Sequence, residues 1–210
     1  MGEGRYTGGM LCCAITDGKT SGFVNTTQVE RVQNQVRRWA AQGIDIIQIR
    51  EKNLDAGALF TLAEAALRTL RDSNSSAKLL INARADVAIA ARAHGVHLTG
   101  HRDELTPRQV RELFTRAGLP PPVVSVSCHS PAEIAHARHN AADLILFGPI
   151  FEKRADGELV SAGMGLEALA LACEIAEQIP VLALGGVTPQ NAGLCVRAGA
   201  AGIAGIRLFL

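Results

Sequence analysis

The sequence lacks a charge of one sign, and this limits its partners. Among 210 residues, 21 Lys and Arg stand against 20 Asp and Glu, which leaves a formal net charge of +1. Nucleic acids and anionic membranes usually select a basic excess. We therefore expect a small-molecule partner, and neither a nucleic acid nor a membrane.

Paired cysteines and long apolar runs are also missing. The five cysteines are odd in number and show no CxxC spacing, so they are typical of buried thiols in a reducing compartment rather than of a disulfide framework. The polar, glycine-rich start "MGEGRYTGGM" has no apolar core like that of a signal peptide, and no later run approaches membrane-spanning length. We expect a soluble cytoplasmic protein with a flexible segment over residues 1–9.

What the chain does have is a regular alternation of short β-type runs with longer helical patterns. Apolar residues recur at three- and four-residue spacing in the helical patterns, as over residues 59–72 and 166–179. Seven linking helices are predicted between eight strands, at residues 10–16, 44–50, 78–82, 95–98, 123–129, 144–150, 181–186 and 202–208.

Eight such alternations predict a single α/β domain over residues 10–210, folded as a parallel (β/α)₈ TIM barrel. A doubly wound open sheet is the alternative. The last helix of the barrel is missing from this sequence, because the chain stops at Leu210, just after the eighth strand. The apolar end "GIRLFL" would then need cover, either from a partner subunit in a homodimer or from the N-terminal segment.

Polar residues collect where the predicted strands end, which is where barrels place their active sites. Spacing by two puts Gln48, Arg50 and Lys52 on one face of a strand, where two cations and an amide suit a carboxylate or phosphate. Alternatively, Arg50 and Lys52 pair with Asp45 or Glu51 at a solvated rim. Further polar residues at strand ends are Asn82, His97, Ser127 and His129.

Two glycines end the seventh predicted strand in "LALGGVTPQN", before a helix expected to start at Thr188 and Pro189. Glycines there let backbone N–H groups approach a phosphate, and barrels often bind phosphate after strands seven and eight. Gly185 and Gly186 are therefore candidate phosphate-binding residues, although a glycine pair before a helix is also an ordinary tight turn.

His129 lies in "VSCHSPAEIA", where Ser130, Pro131 and Glu133 resemble a helix cap, a first-turn proline and a capping-box glutamate. Because histidine titrates near neutral pH, a histidine at the rim is a natural proton shuttle. It would otherwise simply cap a loop by hydrogen bonding. The longest polar, glycine-containing interruption, residues 152–165, is a candidate active-site loop.

Several longer motifs are similar to those of thiamin phosphate synthase and its sister, the thiazole tautomerase TenI. They are "QIREK", "LLINARADVAIAARAHGVHL", "VSCHSPAEIAHA", "ADLILFGPIF" and "VLALGGVTPQNAGLCVRAGAAGIAGI". The resemblance covers nearly the whole chain and implies a (β/α)₈ barrel that binds a thiazole phosphate. It implies that the phosphate is held by Gly185 and Gly186 and by backbone near Gly205 and Arg207, where Arg207 replaces the usual small residue.

The synthase branch implies Mg²⁺ held by two aspartates at strand ends, and a threonine- and lysine-rich loop for a pyrimidine diphosphate. Here the first aspartate position is Ala83, which cannot ligate a hard cation. The second falls within "TGHRDE", where Asp103 is an unaligned substitute, and the loop reads "EKRADGE".

The tautomerase branch implies a proton transfer on a thiazole carboxylate phosphate by a histidine on the fifth strand, the position of His129, with no metal or other cofactor. We therefore favour a TenI-like tautomerase, in which Arg50 and Lys52 hold the carboxylate, although His97 and Gln48 are more synthase-like. The alternatives are a Mg²⁺-dependent synthase, a non-catalytic protein that binds thiazole or thiamin phosphate, and another phosphate-binding barrel enzyme.

Overall fold

The computed structural model describes residues 9–209, apart from 21, 23, 102, 156 and 157. The flexible segment predicted over residues 1–9 therefore lies outside the described residues except for Gly9. Within the described part, no helix is both long and apolar enough to cross a lipid bilayer.

Eight parallel strands close into a barrel, as predicted. Strand β1 pairs with β10 from Leu11 opposite Gly202 to Ala14 opposite Gly205, and this ladder closes the sheet. The open-sheet alternative is therefore wrong. The barrel strands are β1 (Leu11–Ile15), β2 (Ile46–Ile49), β3 (Lys78–Asn82), β4 (Gly95–Leu98), β5 (Val123–Cys128), β6 (Leu144–Phe147), β9 (Val181–Leu184) and β10 (Gly202–Gly205). The intervening β7 (Lys153–Ala155) and β8 (Glu158–Ser161) form a separate antiparallel pair.

Seven helices join the barrel strands in the described part of the chain, the number that the alternation predicts. Side-chain caps fix several of their starts: Asn25 and Gln28 form a capping box at α1, and Thr106 and Gln109 form another at α4. The helices are α1 (Thr26–Ala41), α2 (Ala56–Asp72), α3 (Ala85–Ala90), α4 (Pro107–Arg116), α5 (Pro131–His139), α6 (Gly165–Ala176) and α7 (Ala192–Arg197).

Alternation of side chains along the strands produces two apolar cores. The larger lies between strands and helices, and includes Trp39, Phe114 and Cys128. The smaller fills the barrel interior, with buried side chains such as Ile46, Leu80, Leu144, Leu182 and Ala204. The barrel interior is therefore filled by apolar side chains, and a ligand can enter only at an end of the barrel.

At the amino ends of the strands, three side chains accept the first free N–H of a neighbouring strand. Asp45 accepts from Cys12 N at 2.8 Å, His94 Nδ1 from Leu79 N at 3.0 Å, and Asp143 from Val124 N at 2.7 Å. The polar side chains at this end of the barrel therefore stabilise the fold, because they accept hydrogen bonds from backbone donors.

Part of the apolar C-terminal segment packs against α1, whereas cover from a partner subunit or from the N-terminal segment stays a prediction. Phe209 is 3% exposed and belongs to the larger core. Its carbonyl oxygen accepts the indole N–H of Trp39 on α1 at 3.0 Å. Trp39 of α1 therefore covers Phe209.

Several local boundaries also differ from the predictions, among them those near the site. Strands β2 and β5 end at Ile49 and Cys128, so Arg50 and His129 each lie one residue beyond a strand. The helix expected from Thr188 begins only at Ala192, because Thr188 N donates to Asn191 Oδ1 at 2.7 Å in a separate turn. The loop over residues 152–165 contains the β7–β8 hairpin rather than irregular chain alone.

Candidate active site at the carboxyl ends of the strands

The carboxyl end of the barrel interior is polar on one side and apolar on the other. Neighbouring strands β2 to β5 present a polar arc, formed by Gln48, Asn82, His97, Ser125 and Ser127. The other strands present apolar side chains, Ile15, Leu146, Leu184 and Ile206. A flat ring with one polar edge suits such a mouth.

Gln48 and Asn82 are joined across two strands within this arc. Gln48 is 2% exposed and its Nε2 donates to Asn82 Oδ1 at 2.9 Å. The Oε1 atom of Gln48 is buried and has no hydrogen-bond partner among the described residues. An unpaired acceptor in such a place is costly, so the mouth carries a buried oxygen that a ligand or water can satisfy.

His97 lies deep in the same arc, between two serine hydroxyls. Its Nδ1 is 2.8 Å from Ser125 Oγ and its Nε2 is 3.0 Å from Ser127 Oγ. Burial, and then the positive charges of Arg50 and Lys52, lower the pKa of His97 to about 3. The imidazole is therefore neutral at physiological pH and does not act as a charged imidazolium acid.

This lowered pKa predicts a loss of stability in mild acid. The unfolded chain binds a proton at His97 near pH 6.5 but the folded chain only near pH 3, so protonation favours unfolding throughout that window. The free energy of unfolding should fall with decreasing pH, with a slope from this group that approaches about 1.4 kcal/mol per pH unit below about pH 6. Urea titrations between about pH 7 and pH 5, above the carboxylate range, would measure the slope.

The matched variant for that experiment is His97→Gln, which keeps a hydrogen-bonding group but cannot titrate. The slope of its unfolding free energy against pH should be smaller than that of the wild type, because one protonation, that of residue 97 in the unfolded chain, is lost. His94, whose pKa is lowered by burial and by Lys78, remains in both proteins and adds a part of the same sign. Equal slopes in the two proteins would contradict the assignment of a buried neutral His97.

Arg50 and Lys52 lie beyond the end of β2, which corrects the prediction of one continuous strand face. The backbone N–H of Arg50 donates to Thr16 Oγ1 at 2.8 Å, and its guanidinium lies beside Gly18; Lys52 is exposed. Neither side chain belongs to an ion pair with a described residue.

The acids that were the alternative partners of Arg50 and Lys52 are used elsewhere. Asp45 accepts from Cys12 at the amino ends of the strands, and the buried Glu51 accepts from Thr20 N at 2.8 Å. The structure therefore gives no support to the alternative of a solvated ion-paired rim. Both cations remain available to an anionic ligand, and their charge reaches His97 in the barrel mouth.

The glycine pair after β9 forms a corner against the end of β6. Gly185 and Gly186 have φ of +91° and +66°, values that side-chain-bearing residues rarely adopt. A Cβ at Gly185 would lie 2.6 Å from Pro149 Cα. Backbone is thus exposed where side chains cannot be accommodated, as phosphate-binding turns require.

Gly205 and Arg207 lie next to this corner, at the end of β10. The β9–β10 ladder pairs Leu184 with Ala204, so Gly185 and Gly205 leave adjacent strands at the same level. Arg207 is exposed in the following turn. Helix α7 starts six residues beyond Gly186, so its N-terminus does not begin at the glycines.

His129 is exposed at the rim and is held by two neighbouring groups. Its Nδ1 contacts the carbonyl oxygen of Gly148, and its backbone N–H donates to Glu133. Glu133 therefore binds one residue before the cap residue Ser130, not at Ser130 as a standard capping box would. Because a carbonyl only accepts, Nδ1 carries the proton and Nε2 of the neutral ring keeps a free lone pair.

Gly148 connects His129 to the glycine corner. A Cβ at Gly148 would lie 2.0 Å from the carbonyl oxygen of Leu184, so only glycine fits at this approach of β6 to β9. Phe151 N then donates to the carbonyl oxygen of Gly185 at 3.0 Å. The proton-transfer candidate and the phosphate candidates thus share one sector of the mouth.

The donors for a divalent ion do not converge. Ala83, at φ +55°, carries no oxygen in its side chain, and Asp103 is exposed and forms no ion pair with a described residue. Glu104 is the acid that turns inward: its Oε2 accepts from Thr99 N at 2.6 Å, and its Oε1 is buried without a partner among the described residues. No group of three or more His, Cys, Asp or Glu in the described chain could hold a metal ion. The residues therefore do not fit the metal site that the resemblance implies.

Sequence reasoning missed three contributors to the site: Ser125, Glu133 as an anchor of His129, and Glu104. Ser125 was within reach, since it is two residues from Ser127 and therefore on the same strand face. The other two roles depend on local side-chain-to-backbone contacts, of Glu133 with His129 N and of Glu104 with Thr99 N. A cavity of about 310 Å³ lies instead on the flank of α1, where Arg31 pairs with Asp17, and shares no lining residue with the polar arc.

The fold and the site together define a TIM-barrel protein. Its mouth combines a glycine corner, unpaired basic side chains and a rim histidine, and these groups suit a small phosphorylated ligand. The chain belongs to the thiamine monophosphate synthase family, whose profile matches residues 12–209. The chain therefore belongs among the enzymes of thiamine biosynthesis.

Individual relatives agree with the family. The thiamine-phosphate synthase of Chlorobium luteolum is 36% identical over 194 residues, which cover 92% of this chain and 82% of the relative. That of Moorella thermoacetica is 34% identical over 168 residues, or 80% and 75% of the two chains. The thiamine phosphate pyrophosphorylase structure from Pyrococcus furiosus has a TM-score of 0.71 at 26% identity, covering 94% of this chain and 85% of that one. These names favour the synthase alternative over the tautomerase.

Proposed function

We propose that this chain binds a thiazole phosphate at the carboxyl ends of its strands and transfers a proton on it at His129, without a metal ion. The observation that carries the proposal is the setting of His129. Its Nδ1–H is held by Gly148, which leaves Nε2 as a base beside the glycine corner.

The residues divide the work between binding and proton transfer. The phosphate binds to the backbone of Gly185 and Gly186, with Gly205 and Arg207 alongside. Arg50 and Lys52, which have no acidic partner among the described residues, bind the carboxylate of a thiazole carboxylate phosphate. Nε2 of His129 takes a proton from one position of the thiazole and returns it at another, so the composition of the substrate does not change.

The second candidate is thiamine-phosphate synthase, which the names of the relatives favour. That reaction would join a pyrimidine diphosphate to the thiazole phosphate and release diphosphate with the help of Mg²⁺. Gln48 and His97 are the residues of the mouth that are more similar to those of a synthase. What counts against it is the donor set, because Ala83 and the outward Asp103 supply no converging oxygens for Mg²⁺.

One pair of assays separates the candidates. Purified protein is incubated with thiazole carboxylate phosphate in D₂O with EDTA, and isomer formation and deuterium uptake are followed by NMR. In parallel, diphosphate release is measured with pyrimidine diphosphate, thiazole phosphate and Mg²⁺. We expect turnover in the first assay that EDTA does not reduce, and none in the second.

Diphosphate release without isomerisation would overturn the proton-transfer proposal in favour of the synthase. If neither assay shows turnover while calorimetry detects binding of the thiazole phosphate, the chain is a binding protein and the proposal of catalysis fails. A location in the cytoplasm and a homodimeric state remain predictions beside this proposal.

A further inference from the structure

The polar arc contains a row of three groups, in which an imidazole lies between two hydroxyls. Ser125 Oγ is 2.8 Å from His97 Nδ1, and Ser127 Oγ is 3.0 Å from His97 Nε2. Ser125 and His97 are 1% and 3% exposed, whereas Ser127 is only half-buried. The row therefore leads from the barrel interior to the mouth.

The hydrogens in this row can be counted. Because the pKa of His97 is held at about 3 by burial and by the neighbouring cations, the ring is neutral and carries one N–H. Two hydroxyls and one N–H supply three hydrogens, and the two contacts use two of them. The third hydrogen must point out of the row, either at Ser125 or at Ser127.

Burial decides between the two ends. Ser125 Oγ has no other hydrogen-bond partner among the described residues, so an unused O–H there would be a buried donor without an acceptor, which carries the full desolvation cost of the group. An outward O–H on Ser127 can meet water or a ligand. Ser125 therefore donates to Nδ1, and Nε2–H donates to Ser127.

We propose that His97 is a positioning residue, held as the Nε2–H tautomer by Ser125, and that it fixes Ser127 as a hydrogen-bond donor toward an anionic acceptor, the substrate carboxylate. The identity of the acceptor rests on the proposed function. The tautomer does not, because it follows from the hydrogen count together with the burial of Ser125.

The carboxylate is the acceptor that the surroundings favour. Arg50 and Lys52 lie close enough for their charge to act on His97, and neither pairs with a carboxylate of the described chain. Two cations and one outward hydroxyl all donate, and an anion with two oxygens satisfies such a set. In this arrangement the neutral imidazole polarises Ser127 without itself touching the ligand.

The tautomer is tested first, on the intact protein without ligand. Histidines are labelled with ¹⁵N, and the His97 signals are assigned by their loss in His97→Gln. We expect a bare Nδ1 and a protonated Nε2 at about pH 7 and still at about pH 5. A proton on Nδ1 at about pH 7, on a neutral or a charged ring, would overturn the inference.

The role of Ser125 is tested in the same experiment. Ser125→Ala removes a hydroxyl that a ligand cannot reach, so part of the His97 population should shift to the Nδ1–H tautomer. The matched control is Thr69→Val, which removes a buried hydroxyl on α2 that donates to Ala65 and should leave the His97 signals unchanged. An unaltered tautomer in Ser125→Ala would show that Ser125 does not set it.

The ligand arm compares two probes on Ser127→Ala. Binding of thiazole carboxylate phosphate should weaken roughly tenfold or more, since a hydrogen bond to a charged group is lost. Binding of the thiazole phosphate that lacks the carboxylate should change by less than about twofold. Equal losses for both probes would overturn the carboxylate assignment, while the NMR result stands on its own.

Discussion

Replacing His129 with asparagine is expected to lower kcat for proton transfer by a factor of about 10² to 10⁴, the usual contribution of a general acid–base group. Asparagine can still donate to the Gly148 carbonyl that holds Nδ1 of the wild-type ring, so the local backbone should be kept. It offers no group that titrates near neutral pH. Binding of the thiazole phosphate should be nearly unchanged, since His129 is assigned to chemistry and not to the phosphate.

The control for this variant is His139→Asn, which changes an exposed histidine at the end of α5 by the same substitution. Its kcat should equal that of the wild type. If His129→Asn retains wild-type turnover while the wild type catalyses isomerisation, the assignment of His129 is wrong. If its loss of activity is accompanied by an equal loss of binding, His129 acts in binding rather than in proton transfer.

The fold was predictable because it depends on local periodicity. Eight apolar strands alternating with helical patterns leave a closed barrel as the economical arrangement, and β3 and β4 match their predicted bounds residue for residue. The contact of the C-terminal segment with α1 was not predictable, because Trp39 and Phe209 are 170 positions apart in sequence. A local sequence pattern does not predict a contact between residues so far apart along the chain.

The polar arc of the site was predictable for a related reason. Gln48, Asn82, His97 and Ser127 each belong to a barrel strand and face inward, so strand alternation alone places them together. The contacts made by other site residues were not predictable. Gly148, for example, contacts His129 only because of the register of β5 with β6. The prediction that a helix starts at Thr188 was wrong, because a turn between Thr188 and Asn191 uses backbone groups that the helix would need.

Ala83 is where this chain departs from the metal site that its resemblance to the synthase implies. It follows β3 directly, its N–H donates to the carbonyl oxygen of His97 at 2.8 Å, and its φ is +55°. Aspartate and asparagine tolerate that conformation better than alanine does, so the backbone here would accept the aspartate that the resemblance to the synthase implies. With alanine present this position supplies no oxygen ligand, and the two assays decide which reaction the chain performs.

The glycine corner supports the second large prediction, for Gly185→Ala. A Cβ at this position would meet Pro149 Cα at 2.6 Å in a residue with φ of +91°. The left-handed conformation costs about 1–2 kcal/mol and overpacking about 1–3 kcal/mol more. We expect the free energy of unfolding to fall by about 2–5 kcal/mol, and affinity for the thiazole phosphate to fall with the altered corner.

Gly43→Ala separates the two parts of that cost. Gly43 also has a left-handed φ, +71°, but no heavy atom lies within 4 Å of a Cβ built there. Its substitution should therefore cost only the conformational part, about 1–2 kcal/mol, with phosphate affinity unchanged. Urea unfolding and calorimetry with inorganic phosphate and with thiazole phosphate measure both quantities. If folded Gly185→Ala protein binds both ligands as tightly as Gly43→Ala does, the phosphate does not bind at this corner, because a side chain placed there would otherwise displace the backbone that holds it.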